Sequence, residues 1–425
     1  MIINNKRSLA HIEKVGVIED IPGADNIQKA CILGWSLIVK KNEFKEGDLC
    51  IYVEIDSKMP EDDARFDFLA KKDYKIKTMK LSKFGVISQG IAFPISLFPE
   101  IKNPKEGMDV TNVLRVTKIL TDEEKRLRNV ETFTKQQIKE RKFTQAYMRH
   151  RQFFNTKFGK WARKYGIFRW FFGLLWGGQI KNIKAWPEWI IKTDEERIEN
   201  LPQMLEYTEP LIETEKIDGT STTFAIRYND KKKNKYEIFV CSRNVRQVDE
   251  LQPCRHETNV YWEIFKKYNV EEVLCSLARE YECEIVILQG ETFGANLQGN
   301  PYKMSEIDFR AYNLIIGYTK DNPNFQHCMT DTLDGIYKRV GDTVQRKIDT
   351  IMGSTVLKFH GIKWVPILNE NFVMPKTMEK MKDLATSKST LNPKVLREGC
   401  VYRSKNDPSI SFKNVSREFL LNKGE

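Results

Sequence analysis

The chain has 425 residues, 41% hydrophobic and 30% charged, and its 69 Lys and Arg against 58 Asp and Glu leave a net charge of +11. At roughly 150 residues per domain this is enough for two or three domains with sizeable cores, which excludes disordered and collagen-like classes. The longest apolar run, Phe168-Arg-Trp-Phe-Phe-Gly-Leu-Leu-Trp176, holds a charge within nine residues, and the start Met1-Ile-Ile-Asn-Asn-Lys-Arg7 carries no secretory stretch, so membrane-spanning and secreted classes are excluded and no membrane partner is expected.

Residues 1–118 read as short strands broken by turns: Ala10 to Ile18, Ala30 to Leu33, Gly34 to Val39, Leu49 to Ile55 and Gly85 to Phe93. Five or so short strands without a long helix predict a small closed barrel of the OB type, a common nucleic-acid binder. Six lysines, at 71, 72, 75, 77, 80 and 83, interleave with Tyr74 and Phe84, a composition suited to tracking phosphates and stacking bases.

Residues 119–185 read as a basic helical linker opened by Thr121-Asp-Glu-Glu at capping-box spacing. The thirty residues from Arg141 to Trp170 hold nine Lys or Arg and no Asp or Glu, so most of the net charge sits in one stretch and suits a polyanion. Its aromatics at 143, 147, 153, 154, 158 and 161 are expected to form a packing face. Residues 186–425 change character, with strand candidates at Ser221 to Ile226, Tyr236 to Cys241 and Glu284 to Leu288, and a helix-like run from Tyr261 to Tyr281. The whole is α+β, without βαβ repetition or a P-loop.

Eight cysteines, at 31, 50, 241, 254, 275, 283, 328 and 400, include no CxxC pair. Cys254-Arg-His256 offers two zinc ligands without two more, so reduced thiols are expected, in the cytoplasm or another reducing intracellular compartment.

Lys216 is the pivot of the reading, although on composition alone a Lys-x-Asp-Gly tetrapeptide reads first as a surface turn. Glu215-Lys216-Ile-Asp218-Gly219-Thr220 places alternate side chains, Lys216 and Asp218, on one face of a strand-to-turn junction, while glycine admits a ligand close to the backbone. A lysine amine attacks only when neutral, a form favoured by burial and a nearby divalent cation.

The KIDGT segment resembles the first motif of the covalent nucleotidyltransferases, the superfamily of RNA ligases, DNA ligases and mRNA-capping enzymes. Five further blocks resemble that family's motifs in order: Ser242-Arg243-Asn244, Gly290-Glu291-Thr-Phe-Gly294, Asp308-Phe309-Arg-Ala-Tyr312-Asn-Leu, Glu398-Gly399-Cys-Val401-Tyr-Arg403 and Ser411-Phe412-Lys413. The nearest resemblance is to ATP-dependent RNA ligases of the second phage type, in the branch with an N-terminal OB domain. It implies an OB-like β-barrel at 1–118, followed after the linker by an adenylyltransferase domain at 186–425 with an ATP-grasp-like mixed antiparallel sheet.

The resemblance further implies that Lys216 attacks the α-phosphate of ATP and holds AMP as a phosphoramidate. Glu215 would read the adenine edge, Phe309 would stack on adenine, and Arg243 and Glu291 would position ribose and phosphate. Gly219 and Ser221 would line the nucleotide site, Asp218, Glu291 and Glu398 would hold hydrated Mg²⁺ or Mn²⁺, and Lys413 would neutralise charge on the transferred phosphate. The expected partner is RNA, as a nicked duplex or paired ends, with a DNA strand allowed as template, and the expected enzyme is a monomer. The barrel is expected to serve nick sealing more than adduct formation.

One departure stands out. Many second-type ligases carry a second lysine two residues after the first in the last motif, where this chain has Val415; Lys405 or Arg403 are candidates for the missing charge. DNA ligases and capping enzymes carry an OB domain after the last motif, whereas twelve residues follow Lys413 here and the barrel candidate precedes the motifs. That order favours RNA ligase, with an OB-fold RNA-binding protein bearing a decayed catalytic domain as the alternative from another class.

Overall fold

The structure is a computed structural model describing residues 2–3, 6–119, 135–177, 184–231, 235–247, 259–331, 337–407 and 410–423. The capping-box segment at Thr121 and the Cys254–His256 pair lie outside the described residues. Contacts divide the chain into two compact units, one of residues 1–119, 193–217 and 365–425, the other of residues 120–192 and 218–364.

The first unit begins with a five-stranded antiparallel sheet in the order Ile91–Pro94, Leu49–Val53, Ala10–Asp20, Ile27–Ile32, Trp35–Lys40. The strand Ala10–Asp20 pairs through its first half with Leu49–Val53 and, past a register shift, through its second half with Ile27–Ile32. A bulge of this kind bends a strand and lets it serve two sides of a curled sheet. The curl closes where the Gln89 amide donates to the Ser36 carbonyl at 2.9 Å. Strand Leu49–Val53 is buried on both faces: Ile51 and Val53 join a cluster with Phe66, Phe93 and Phe98, while Cys50 and Tyr52 join one with Trp35, Leu37 and Val39.

That second cluster also takes in Val415 and Leu420 from the far end of the chain. Trp35 Nε1 donates to Asn200 Oδ1 at 2.5 Å, Asn200 Nδ2 donates to Glu54 Oε1 at 2.9 Å, and the Gly34 amide donates to the Glu199 carbonyl at 2.7 Å. These bonds and the shared core join the barrel to a second five-stranded sheet, ordered Glu196–Arg197, Ser411–Val415, Gly399–Ser404, Leu211–Lys216, Ile367–Phe372.

The second unit is built on an eight-stranded antiparallel sheet whose centre runs Tyr236–Ser242, Thr220–Tyr228, Ile285–Gly294, Ile307–Thr319. Helix Val270–Glu280 lies against its central strands. The helix-like run Tyr261 to Tyr281 is two helices, Val260–Lys267 and Val270–Glu280, because Asn269 adopts a left-handed conformation at φ 45° that interrupts the helical path. Residues 135–176 add four short helices. The seven described cysteines are all free thiols.

Candidate active site

Lys216 is the last residue of strand Leu211–Lys216, and alternation sorts its neighbours. Register pairs Thr214 with Val401, Val401 with Lys413, Lys216 with Gly399, and Gly399 with Val415. Lys216, Arg403, Lys413 and Val415 therefore share one face, while Glu213, Glu215, Cys400, Tyr402 and Phe412 share the other. The parallel partner strand adds Arg197 directly beside Lys413.

On the lysine face, Lys216 Nζ lies 2.7 Å from Glu398 Oε1. A close approach makes that pairing possible: a Cβ on Gly399 would lie 2.1 Å from the Asn414 carbonyl oxygen, so only glycine fits beside Lys216. Lys413 Nζ sits 3.1 Å from Asp194 Oδ1. Burial, opposed by Asp194 and reinforced by the positive charges of Arg197, Lys216 and Arg7, lowers the pKa of Lys413 below that of an ordinary lysine. This face thus pairs the Lys216 ammonium with a carboxylate, next to a field of concentrated positive charge.

One sequence expectation is corrected on this sheet, and one departure finds its physical reason. Glu215 lies on the opposite face from Lys216, where its carboxylate accepts from the Ser389 hydroxyl at 2.5 Å, the Thr390 amide at 2.9 Å and the Thr390 hydroxyl at 2.5 Å. Three donors on a buried carboxylate commit it to holding the 389–390 turn, so it does not read a base edge. Val415 is buried in the barrel's apolar cluster, where an ammonium would have no partner and a high desolvation cost. Of the two proposed substitutes for the missing lysine, Lys405 reaches Asn371 Oδ1 at 3.1 Å from an exposed position, and Arg403 lies on the lysine face 3.0 Å from Glu195. Arg197, in register with Lys413, had no sequence signal as a motif residue.

In the second unit, Asp218 is buried and its amide donates to the Tyr302 hydroxyl at 2.8 Å. The Gly219 carbonyl accepts from Gln298 Nε2 at 3.0 Å, and a Cβ at Gly219 would lie 2.4 Å from the Thr292 carbonyl oxygen. Ser221, Glu291 and Arg310 are aligned across three adjacent strands, and Arg243 is exposed at the turn after Tyr236–Ser242. Within this unit the structure groups Ser221 with Glu291, and it places Gly219 beside the strand that carries Glu291.

Phe309 is the second correction. It aligns with Thr292, on the opposite face from Glu291, fully buried with its ring 5.5 Å from that of Phe224. A ring with no accessible face cannot stack on a base. The aromatic on the Glu291 face is Tyr312, half-buried, with its hydroxyl 3.1 Å from Ser221 Oγ. Strict alternation from Arg310 also assigns Tyr312 to that face. A register shift, which pairs Gly290 with Ala311 but Gln289 with Asn313, makes the ladder skip Tyr312, whose hydroxyl lies beside Ser221. The residue was visible in the same sequence motif, three positions on.

Among the described residues no group of three or more His, Cys, Asp or Glu side chains could hold a metal ion by itself. The carboxylates present offer only oxygen donors, which suits Mg²⁺ or Mn²⁺ completed by water and phosphate oxygens and does not suit zinc.

Comparison with known proteins bears on the fold and the family. Residues 9–95 match the model of an OB-fold domain family, and residues 209–416 match the model of the RNA ligase family. No curated protein matches the chain. Among solved structures, a mutant of Naegleria gruberi RNA ligase with ATP and Mn is similar at 26% identity and TM-score 0.67, covering 97% of this chain and 98% of that one. The same ligase with PPi is similar at 27% identity and TM-score 0.67, covering 98% and 99%.

Proposed function

Because residues 209–416 belong to the RNA ligase family, the chain is an ATP-dependent RNA ligase, and we propose that Lys216 is the nucleophile with which it seals nicks in duplex RNA. The Lys216 amine forms a bond to the α-phosphorus of ATP while the bond to the bridging oxygen breaks and pyrophosphate leaves. The AMP then passes to an RNA 5′-phosphate, freeing Lys216, and a 3′-hydroxyl attacks the activated phosphate to form the phosphodiester and release AMP. The observation that carries the assignment is the 2.7 Å pairing of Lys216 with Glu398 on the same strand face as Lys413.

Glu398 orients the Lys216 ammonium and accepts the proton it must lose before the amine attacks. Arg197, in register beside Lys413, supplies the positive charge that the absent second lysine gives in other second-type ligases, and Lys413 stabilises charge developing on the phosphate. Glu291 accepts from a ribose hydroxyl, Arg243 meets phosphate, and Tyr312 takes the adenine-stacking role. Asp218, Glu291 and Glu398 are the carboxylates that would hold Mg²⁺ or Mn²⁺ through water, where the ion would neutralise phosphate charge. The barrel, with Lys77, Lys80 and Lys83 exposed around its Met79–Ser88 hairpin, holds the RNA backbone. The enzyme acts as a monomer in a reducing compartment, and a DNA strand can serve as template.

The test is incubation with labelled ATP and Mg²⁺ or Mn²⁺, followed by a denaturing gel. A covalent AMP label is expected on the wild type and on Cys241→Ala, and none on Lys216→Ala. A label that persists in Lys216→Ala overturns the nucleophile, and labelling by GTP in place of ATP would indicate capping chemistry.

A further inference from the structure

Residues 135–176 lie outside both family matches and form helices Lys135–Arg149, Arg151–Asn155, Lys157–Ala162 and Gly166–Trp176. Part of their aromatic content makes a small core: Phe143, Phe154 and Phe172 are buried, and Tyr147, Phe153, Phe168 and Trp176 pack against them. This fulfils the packing role expected for the stretch only in part, because Phe158 and Trp161 remain exposed.

The last helix has a second apolar face. Ile167, Trp170, Phe171, Leu174 and Leu175 are 45–71% exposed, and their spacing of 0, 3, 4, 7 and 8 residues aligns them along one side. The helix's one charged residue, Arg169, pairs with Glu140 and lies over the Phe143 ring at 5.0 Å. Five large apolar side chains in a row are therefore left to solvent, an arrangement that marks an interaction surface. Around them in sequence, Arg149, Arg151, Lys157, Lys160 and Lys164 are exposed, in a stretch with no acidic residue between Arg141 and Trp170.

We propose that this helical arm docks on an anionic lipid bilayer, with the Ile167–Leu175 face seated among the acyl chains and the basic side chains on headgroup phosphates. The pairing of aliphatic and basic groups is what selects the partner. RNA would satisfy the charges and could stack on Trp170 or Phe171, but it offers no apolar surface to cover Ile167, Leu174 and Leu175. An anionic bilayer offers both, and an amphipathic helix rich in Trp, Phe and Leu with basic surroundings lies in the interface plane rather than across it. Eleven residues rise only about 16 Å, half a bilayer core, and no helix among the described residues is long and apolar enough to cross a membrane. The absence of a spanning run therefore leaves surface docking open, contrary to the expectation of no membrane partner.

The experiment is co-sedimentation of the full-length, nuclease-treated protein with phosphatidylcholine vesicles, with and without phosphatidylglycerol. The protein is expected to sediment with the mixed vesicles at least about tenfold more tightly than with phosphatidylcholine alone, given the added attraction of basic residues to anionic lipid. Phe171→Glu/Leu174→Glu is expected to lose that binding while keeping ATP labelling at Lys216, which shows that it still folds. Failure of the wild type to sediment overturns the proposal. So does equal sedimentation of the double variant, or sedimentation that disappears once nuclease has removed RNA. If the double variant converts a wild-type dimer to monomer without altering vesicle binding, the face is a self-association surface and the proposal is wrong.

Discussion

Tyr312 and Phe309 stand three residues apart on one strand, and alternation turns them to opposite faces and different surroundings. Phe309 fills the core against Phe224, so Phe309→Ala should cost about 3–5 kcal/mol of stability through the cavity it leaves, read as a lower midpoint in thermal unfolding. Tyr312 is half-buried beside Ser221. Tyr312→Ala should leave the fold in place and raise KM for ATP in the labelling reaction by roughly ten- to a hundredfold, the value of about 1–3 kcal/mol for stacking one base. Tyr312→Phe should keep most of the affinity, since the ring and not the hydroxyl makes the contact; equal loss in both variants would mean that the Ser221 hydrogen bond matters instead. Lys413 allows a pH test. Its lowered pKa means that the charge disappears, as pH rises, before an ordinary lysine would lose it. The alkaline limb of kcat/KM for ATP should accordingly fall below pH 10.5, the ordinary value, and Lys413→Arg, which stays charged, should move that limb upward.

At the scale of elements, the hairpin of Met79–Leu81 and Val86–Ser88 presents Lys80 and Lys83 in the open, with Lys77 just before it. Not all of the six-lysine stretch is available: Lys75 is 2.6 Å from Asp73, and Tyr74 packs against the barrel core. Base stacking is therefore not the role of Tyr74, and the hairpin's contribution is to phosphate. Lys77→Glu/Lys80→Glu/Lys83→Glu should weaken binding to unrelated nicked duplexes alike and reduce the slope of log Kobs against log salt by about 2–3, near 0.9 per phosphate contact. ATP labelling of Lys216 should not change. Binding measured by anisotropy at several salt concentrations would show an unchanged slope if the hairpin were only a solvated loop.

For the whole molecule, the unit that holds Lys216 includes the N-terminal barrel. The sequence led to the expectation that removing residues 1–118 would harm sealing more than adduct formation, since every motif lies beyond them. The structure changes that expectation. Val415 and Leu420 share a core with Trp35 and Tyr52, and Asn200 is bonded to both Trp35 and Glu54. Deletion would expose that core and leave buried polar groups of the lysine sheet unpaired. Adenylation and sealing should be lost together, with a lower unfolding temperature. A truncated protein that still labels at the wild-type rate would show that the lysine sheet is self-sufficient.

The barrel, the antiparallel sheet and the order of the six motifs were legible in the sequence because each depends on local information: alternation, turn residues and short motifs carried on single strands. Lys216, Glu291 and Lys413 are proposed as site residues on the same local signals. Three other assignments could not be read from such signals. The opposite facing of Glu215 follows from alternation, but its engagement depends on Ser389 and Thr390, about 175 residues away. The face taken by Phe309 was readable in principle, yet only the packing of Phe224 shows that it lies in the core. Val415 reads as a missing lysine until the fold shows it buried beside residues from the other end of the chain. Sequence specifies which side a residue takes along its own strand, whereas tertiary structure decides what waits on that side, because burial and partners are set by segments distant in the chain.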